Sequence, residues 1–335
     1  MKVAINGFGR IGRLVFRLIE DDPSIEVVAI NDLTDAKQLA HLLKYDSNFR
    51  NYKLDEISYD NNSITVDSDV IKIFSEKDPE NLPWKELEVD VVFECTGFFT
   101  DKDSANKHIL AGAKKVIISA PAKGDLKTVV YNVNHDILDG NETVISAASC
   151  TTNCLAPVLK VLNDNFGIEK GYMTTVHAYT NDQVILDIAH KKEIESRRGR
   201  AGAMNIIPSS TGAATAIGEV IPSLKGKLAG GSMRVPVPVG SVIDLSLELQ
   251  KSVNVDMIND SLKKNTNETL NFTMDPVVSS DIIGHTCGCL VDGLLTSVLE
   301  VDGKQLVKVV AWYDNEMGYS SQMVRTAKYL MELMK

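Results

Sequence analysis

Two residues of this chain have the types and the setting for nucleophilic chemistry, Cys150 and His177. Cys150 lies in Ser149-Cys150-Thr151-Thr152-Asn153-Cys154, after the β-branched stretch Thr143-Val144-Ile145-Ser146 and before Leu155, Val158, Leu159 and Leu162, which recur at helical spacing. The pattern predicts a strand that ends just ahead of a helix, with Ser149 as N-cap and Cys150 in the first turn. Unbonded N–H groups and the positive end of the helix dipole favour thiolate over thiol at that position. Pro157, inside the helix, removes one backbone hydrogen bond and is expected to bend it. A lone cysteine is more often a small buried hydrophobe, and a lone histidine more often a satisfied structural residue. Together they read differently. His177 stands at the far end of a β-favouring run, Tyr172 to Thr180, where it can serve as general base in a thiolate–imidazolium pair. The remaining cysteines and histidines lack zinc spacing, so no metal is expected.

Two further stretches suit anions. Pro208-Ser209-Ser210-Thr211-Gly212 precedes the helical run Ala213 to Ile221, which gathers hydroxyls and free N–H groups at a helix start; capping explains one hydroxyl but not the cluster. Arg234 sits in the otherwise apolar strand Ser232-Met233-Arg234-Val235-Pro236 and must find a partner, either the carboxylate of a salt bridge or a ligand phosphate. From Asn181 to Met204 a polar, partly basic loop ends in Ser196-Arg197-Arg198-Gly199-Arg200, which reads equally as a solvated face or as an ordered loop at a subunit contact.

The elements that must position these residues begin with Val3-Ala4-Ile5, a buried-type strand that runs into Gly7-Phe8-Gly9-Arg10-Ile11-Gly12. Ile11, Leu14, Val15 and Leu18 then mark the inner face of a helix. In this context the first glycine permits the turn, the second admits a pyrophosphate to the backbone, and the third lets helix and strand pack closely. A second strand, Ile25 to Ile30, delivers Asp32 about 20 residues after the third glycine, where a carboxylate meets the adenosine ribose and repels a 2′-phosphate. The cofactor expected is therefore NAD. A β-rich insertion follows (Ile57 to Phe74, turning at Asn61-Asn62), then a strand from Val89 to a small-residue loop, Cys95-Thr96-Gly97, with Cys95 read as core. A helix is expected over Ser104 to Ala111, and strands over Lys115 to Ile118, Val129 to Asn132 and Thr143 to Ser146. Thr96 and Ser119 fall at strand ends on the nicotinamide side, each also readable as a simple turn residue. Beyond the cysteine, strands are expected at Val242 to Leu249 and Leu306 to Trp312, with helices at Val255 to Lys264 and Met323 to Leu333.

Composition agrees with two domains in a globular chain. The 335 residues are 44% hydrophobic and 24% charged, and the net charge of -10 makes the surface as a whole repel nucleic acid and anionic lipid. Five cysteines, odd in number and sparse, with no secretory or membrane-spanning run, point to a reducing cytoplasm.

These blocks together resemble the phosphorylating glyceraldehyde-3-phosphate dehydrogenases from end to end: INGFGRIGR, AINDLTD, LAHLLKYDS, ECTGFF, ISAPAKGD, SAASCTTNCLAP, TVHAYTNDQ, NIIPSSTGAA, MRVPVP and WYDNEMGYS occur in that family's order. The resemblance implies that Cys150 is the nucleophile and His177 the base in the glycolytic conversion of D-glyceraldehyde 3-phosphate to 1,3-bisphosphoglycerate with NAD and inorganic phosphate. The substrate phosphate would be held by Thr180, Asp182 and Arg234, and inorganic phosphate by Ser149, Thr151, Thr211 and Gly212. Around the cofactor it implies Phe8, Gly9, Arg10, Ile11, Asp32, Lys77, Thr96, Ser119 and Asn315. The implied fold is α/β, with a Rossmann-type doubly wound sheet over 1–149 and an α+β catalytic domain with a mainly antiparallel sheet over 150–317. A C-terminal helix, 318–335, would pack back on the first domain in a homotetramer. Two departures stand out: Ala189 replaces a proline found in many NAD-using members, and Thr215 replaces a common lysine, which reduces positive charge near the inorganic-phosphate helix. The loop from Lys191 to Ser196 is also longer than in many bacterial members. The rival readings are a dehydrogenase of another phosphorylated aldehyde such as erythrose 4-phosphate, which the intact HAYTND run disfavours, and an adhesin or RNA binder, which the net charge disfavours.

Overall fold

A computed structural model describes residues 1–191 and 193–334; Lys192, within the long loop, and Lys335, at the end of the expected C-terminal helix, lie outside the described residues. The chain divides into two compact units: Met1–Tyr131 with His135–Ala148 and Met323–Lys335, and Asn132–Asn134 with Ser149–Gln322.

In the first unit, nine strands among the described residues form one sheet in the order Ile57–Tyr59, Ser63–Val66, Asp69–Phe74, Glu26–Asn31, Lys2–Asn6, Val91–Glu94, Lys115–Ile118, Val144–Ser146, Lys127–Thr128. The pairings are parallel except in the hairpins of the insertion. Val3, Ala4 and Ile5 are fully buried because a parallel strand at the centre of such a sheet has both faces covered. Its neighbours on either side are Glu26–Asn31 and Val91–Glu94, so the strand order reverses at Asn6 and the carboxyl ends open a crevice there. The helix Arg10–Ile19 follows directly. Gly7 takes φ 90°, and a Cβ on Gly12 would lie 2.1 Å from the Gly7 carbonyl oxygen, so turn and close packing both require glycine.

Three expectations need correction. Val129 to Asn132 is not a strand: the ladder ends at Lys127–Thr128, and Asn132, at φ 60°, turns the chain so that its amide meets Glu268 and Thr269. Ser104 to Ala111 is two short helices, Lys102–Ala105 and Lys107–Leu110, joined at Asn106. The C-terminal helix begins at Met317 rather than Met323, because the Asp314 carboxylate accepts from the Glu316 and Met317 N–H groups and so caps an earlier start.

In the second unit the main path runs Ile207–Ser209, Leu228–Val235, Ile168–Ala178, Ser241–Leu249, Lys304–Tyr313, Cys289–Asp292, Leu270–Thr273, and Ser297–Val301 pairs with Lys304–Tyr313. The sheet is mainly antiparallel; the pair Ile168–Ala178 with Leu228–Val235 and the pair Leu270–Thr273 with Cys289–Asp292 are parallel. Helix Cys150–Phe166 runs unbroken through Pro157, buries Leu155, Val158, Leu159 and Leu162 completely, and ends at Gly167, φ 69°. Along Ile168–Ala178 the side chains of Met173, Thr175 and His177 share one buried face, as the two-residue period of a strand requires.

Candidate active site

Helix Cys150–Phe166 starts where the sequence places it: Ser149 is the N-cap, its Oγ accepting from Thr152 N–H at 3.1 Å. The first-turn thiol of Cys150 lies 3.4 Å from His177 Nε2. His177 is held from two sides, its ring edge-on to Tyr313 at 5.8 Å and its Nδ1 2.7 Å from the Ala178 carbonyl oxygen. The parallel register sets His177 directly beside Arg234, whose Nη1 donates to the Ala178 oxygen at 2.9 Å and reaches Nδ1 at 2.7 Å. Arg234 Nε is buried without a hydrogen-bond partner among the described residues, as are Ser209 Oγ and Gln183 Nε2. Such orphans are costly, and an anion at the guanidinium would satisfy one of them.

Burial works against the ion pair expected from the sequence. It is the largest influence on both groups: it raises the Cys150 thiol above its ordinary range and lowers the His177 imidazole to about 3. Arg234 acts in opposite senses on the two, favouring the thiolate and disfavouring the imidazolium, and Arg198 adds to the second effect. Burial thus favours thiol and neutral imidazole over the charged pair, with the guanidinium on the ring nitrogen away from the sulfur.

Around this centre the expected anion ligands are unequally disposed. Thr151 Oγ1 is bonded to Tyr313 OH at 2.9 Å, and Thr175 Oγ1 meets the same hydroxyl at 2.8 Å, so buried Thr151 is tied inward. The Asp182 carboxylate pairs with the Arg198 guanidinium. Thr180 N–H donates to Gln183 Oε1 at 3.4 Å, and Thr211 Oγ1 accepts from Ala213 N–H at 3.2 Å, just ahead of helix Ala213–Val220 with Gly212 at its cap position. Asn315 is buried, its Oδ1 accepting from Gly240 N–H and Ser241 Oγ.

In the first unit the sheet's carboxyl ends enclose a crevice of about 580 Å³, lined by Gly9, Asp32, Lys77 and Thr96 of the expected cofactor set. Gly9 has nothing within 4 Å of an added Cβ, which leaves its backbone open to a ligand. Asp32 Oδ2 accepts from Phe8 N–H at 2.8 Å and Oδ1 from Thr34 N–H at 3.0 Å, fixing a carboxylate at the rim. These features fit an adenine dinucleotide. Phe8, Arg10, Ile11 and Ser119 do not line the crevice. The Phe8 ring is buried edge-on to Phe16 and Arg10 is paired with Asp46, so from these two only backbone groups remain to face a ligand.

A family model described as the glyceraldehyde 3-phosphate dehydrogenase NAD binding domain matches residues 1–102, and one described as the C-terminal domain of the same enzyme matches residues 149–315. The chain is 60% identical over 334 residues to glyceraldehyde-3-phosphate dehydrogenase of Clostridium pasteurianum, covering 100% of this chain and 99% of the relative. It is 58% identical over 334 residues to that of Clostridium acetobutylicum and 56% identical over 336 residues to that of Streptococcus pyogenes, with the same coverage. The chain belongs to the glyceraldehyde-3-phosphate dehydrogenase family.

Several residues at the site were given no role of their own by the sequence. Tyr313, which joins Thr151, Thr175 and the His177 ring, stood only as part of the block WYDNEMGYS. Arg198, in a run that reads equally as a solvated face or an ordered loop, has its side chain largely buried against Asp182. Asn6, Asn31, Glu76 and Phe99 also line the dinucleotide crevice; Asn6 and Asn31 end their strands, Glu76 follows one by two residues, and Phe99 lies in the loop after Glu94.

Proposed function

We propose that this chain converts D-glyceraldehyde 3-phosphate to 1,3-bisphosphoglycerate with NAD and inorganic phosphate, through a thioester on Cys150 and with His177 as the base. Family membership makes it an NAD-dependent oxidoreductase of the phosphorylating kind. The observation that carries the residue assignment is the 3.4 Å contact of Cys150 Sγ with His177 Nε2 at a helix start, with Arg234 beside the histidine in register.

Cys150 Sγ adds to the aldehyde carbon as its proton passes by way of Nε2 to the carbonyl oxygen, which gives the hemithioacetal and leaves Nε2 bare; that nitrogen takes the hydroxyl proton as the carbon gives up its hydride and becomes a thioester, and attack by phosphate then releases the acyl phosphate and the Cys150 sulfur. When bound, NAD supplies the hydride acceptor. The Cys150 N–H at the helix start faces the developing oxyanion. For Nε2 to take a proton, Nδ1 must carry one toward the Ala178 oxygen, which the 2.7 Å separation accommodates. A substrate phosphate that draws the Arg234 guanidinium away from Nδ1 removes the charge that opposes protonation of the ring. Binding of the distal phosphate thereby prepares the base.

On this reading Thr180 and Arg234 hold the substrate phosphate, and Asp182 contributes by holding Arg198 in place. Ser149, Thr211 and Gly212 receive inorganic phosphate, with Thr151 offering its first-turn backbone because its hydroxyl is tied to Tyr313, and Asn315 meets the nicotinamide carboxamide. Phe8, Gly9, Arg10, Ile11, Asp32, Lys77, Thr96 and Ser119 serve the rest of the cofactor. Residues 1–149 form the cofactor domain and 150–317 the catalytic one, and of the C-terminal stretch 318–335 the part from Met323 groups with the first. A homotetramer is supported by the apolar side chains that the second unit leaves exposed, Ile185, Leu186, Ile188, Ile194, Met204 and Ile206, in the loop segment rich in arginine. No helix among the described residues is long and apolar enough to cross a membrane, and all five cysteines are free, which supports a cytoplasmic setting.

The test is reduction of NAD by the purified protein with glyceraldehyde 3-phosphate, with and without phosphate. Sustained turnover that requires phosphate is expected. Turnover indifferent to phosphate would refute the phosphorylating reading.

A further inference from the structure

Behind the dinucleotide crevice lies a hydrogen-bonded chain of buried polar side chains whose every proton is assigned by its two ends. At one end the backbone of Glu76 contributes both an N–H, which donates to Asn31 Oδ1 at 2.8 Å, and a carbonyl, which accepts from Asn31 Nδ2 at 2.9 Å. The Asn31 amide therefore has one orientation. Its Nδ2 also donates to Asn6 Oδ1 at 2.7 Å, which fixes the Asn6 amide, and Asn6 Nδ2 then donates to Glu94 Oε2 at 2.5 Å. At the other end the indole of Trp84 can only donate, and its Nε1–H meets His108 Nδ1 at 2.9 Å. His108 must keep Nδ1 bare and carry its proton on Nε2, 3.1 Å from Glu94 Oε2.

Both ends converge on Glu94. Its other oxygen, Oε1, accepts from Thr96 N–H at 2.8 Å and from the Thr96 hydroxyl. Three of the four partners, the Asn6 amide, His108 Nε2–H and the Thr96 N–H, can only donate, and the Thr96 hydroxyl, which accepts from Phe98 N–H at 3.1 Å, keeps its own hydrogen for Oε1; the set matches an acceptor-only carboxylate. Glu94 and His108 are 1% and 0% exposed, so water cannot substitute for the bonds of Oε2 to Asn6 and His108. Burial, followed by the Glu94 charge, holds the neighbouring Cys95 thiol far above its ordinary range. Asn6, Asn31 and Thr96 at the same time form part of the crevice wall, and Thr96 backs onto Gly7, where an added Cβ would lie 2.8 Å from the Thr96 nitrogen.

We propose that Glu94 is a positioning residue for the cofactor: as a buried carboxylate it fixes the orientation of Asn6, Asn31 and Thr96, and thereby the hydrogen-bonding wall that the dinucleotide meets. The inference rests on the NAD-using function above but on residues outside the cofactor set assigned there, Thr96 excepted. Glu94→Gln preserves the shape but sets an amide N–H₂ against donors in either orientation, the Asn6 amide and His108 Nε2–H on one side and the Thr96 N–H on the other. The Asn6 amide cannot turn to receive it without breaking the bonds that Glu76 fixes at Asn31. His108 cannot change tautomer while Trp84 donates to Nδ1.

The experiment measures the Kd for NAD by titration calorimetry, with thermal stability, in wild type, Glu94→Gln, and Glu94→Gln combined with Trp84→Phe. The single variant is expected to weaken NAD binding by roughly tenfold to a hundredfold, the consequence of leaving a buried donor unmatched. Removing the indole donor frees His108 to present a bare Nε2 to the new amide, so the double variant should recover part of that loss although it is the more heavily altered core. A Kd unchanged in Glu94→Gln with only a lower melting temperature, or a double variant that binds more weakly than the single, overturns the proposal. Should Glu94→Gln not fold, the wild-type protein labelled with 15N-histidine decides: ring shifts of the Nε2–H tautomer at His108 support the assignment, and those of Nδ1–H or imidazolium defeat it. Wild-type protein that fails to bind NAD would instead sink the functional reading itself.

Discussion

Arg234→Leu distinguishes a site built for phosphorylated aldehydes from a general aldehyde oxidiser with the same cysteine and histidine. Among the described residues the guanidinium meets the Ala178 oxygen at 2.9 Å and His177 Nδ1 at 2.7 Å, and its buried Nε has no hydrogen-bond partner. It is thus only partly satisfied. A charge-assisted contact to phosphate contributes about 1.5–3 kcal/mol, and each ~1.4 kcal/mol is a factor of ten, so kcat/KM for glyceraldehyde 3-phosphate should fall roughly tenfold to more than a hundredfold. The binding energy lost is remote from the reacting carbon and had served to position it. With unphosphorylated glyceraldehyde the expected outcome is no loss. The leucine also removes the charge that, after burial, does most to lower the His177 pKa from its ordinary value to about 3. That pKa should rise part of the way back, and the acid limb of the glyceraldehyde pH–rate profile should move to higher pH in the variant. The assay is the initial rate of NAD reduction with each aldehyde across pH. Equal losses on both substrates, with an unmoved acid limb, would mark Arg234 as a structural residue and refute the reasoning.

Cys150→Ser should bind NAD as wild type does and lose dehydrogenase activity, whereas Cys154→Ser, altering a fully buried thiol whose contacts to the Ala311 and Trp312 oxygens are 3.8 and 3.9 Å, should retain most of it; rates and NAD titrations on both variants check this. Asp314 gives a pH signature in stability, because burial raises its carboxyl from 3.8 to about 6 despite three backbone N–H donors. A folded-state pKa above the unfolded value means that the folded protein binds the proton more tightly, so the contribution is full below about pH 4 and is lost as pH rises through about 6. The loss is on the order of 3 kcal/mol, and urea unfolding at fixed protein concentration should show it in wild type and not in Asp314→Asn.

Much of this molecule was legible in the sequence because the relevant physics is local. The Gly7-Phe8-Gly9-Arg10-Ile11-Gly12 turn, the helix behind it and the cap at Ser149 depend on steric and hydrogen-bonding demands that a few neighbouring residues meet, and each lies where the pattern places it. Blocks of family sequence extended that local reading to the whole chain. The short-range errors, at Val129 to Asn132 and at the start of the C-terminal helix, arose where one residue's contacts overrode propensity: the left-handed turn of Asn132 and the capping carboxylate of Asp314.

What only the tertiary structure decided is the environment of those groups. A helix start and a nearby histidine both argue for a thiolate, but how far burial opposes them depends on which side chains close over the pair, and those come from distant strands. Tyr313 reaches Thr151 across 162 positions of the chain, and Arg234 meets His177 across 57, through a strand register that no local pattern encodes. The polarity of the Glu94 network is likewise set by groups distant in sequence from their partners, the Glu76 backbone 45 positions from Asn31 and the Trp84 indole 24 from His108, acting through bonds that exist only once the sheet has formed. Residue type and spacing determine which chemistry is available; the charge state and hydrogen-bonding direction of each group are long-range electrostatic and packing properties, and so belong to the fold.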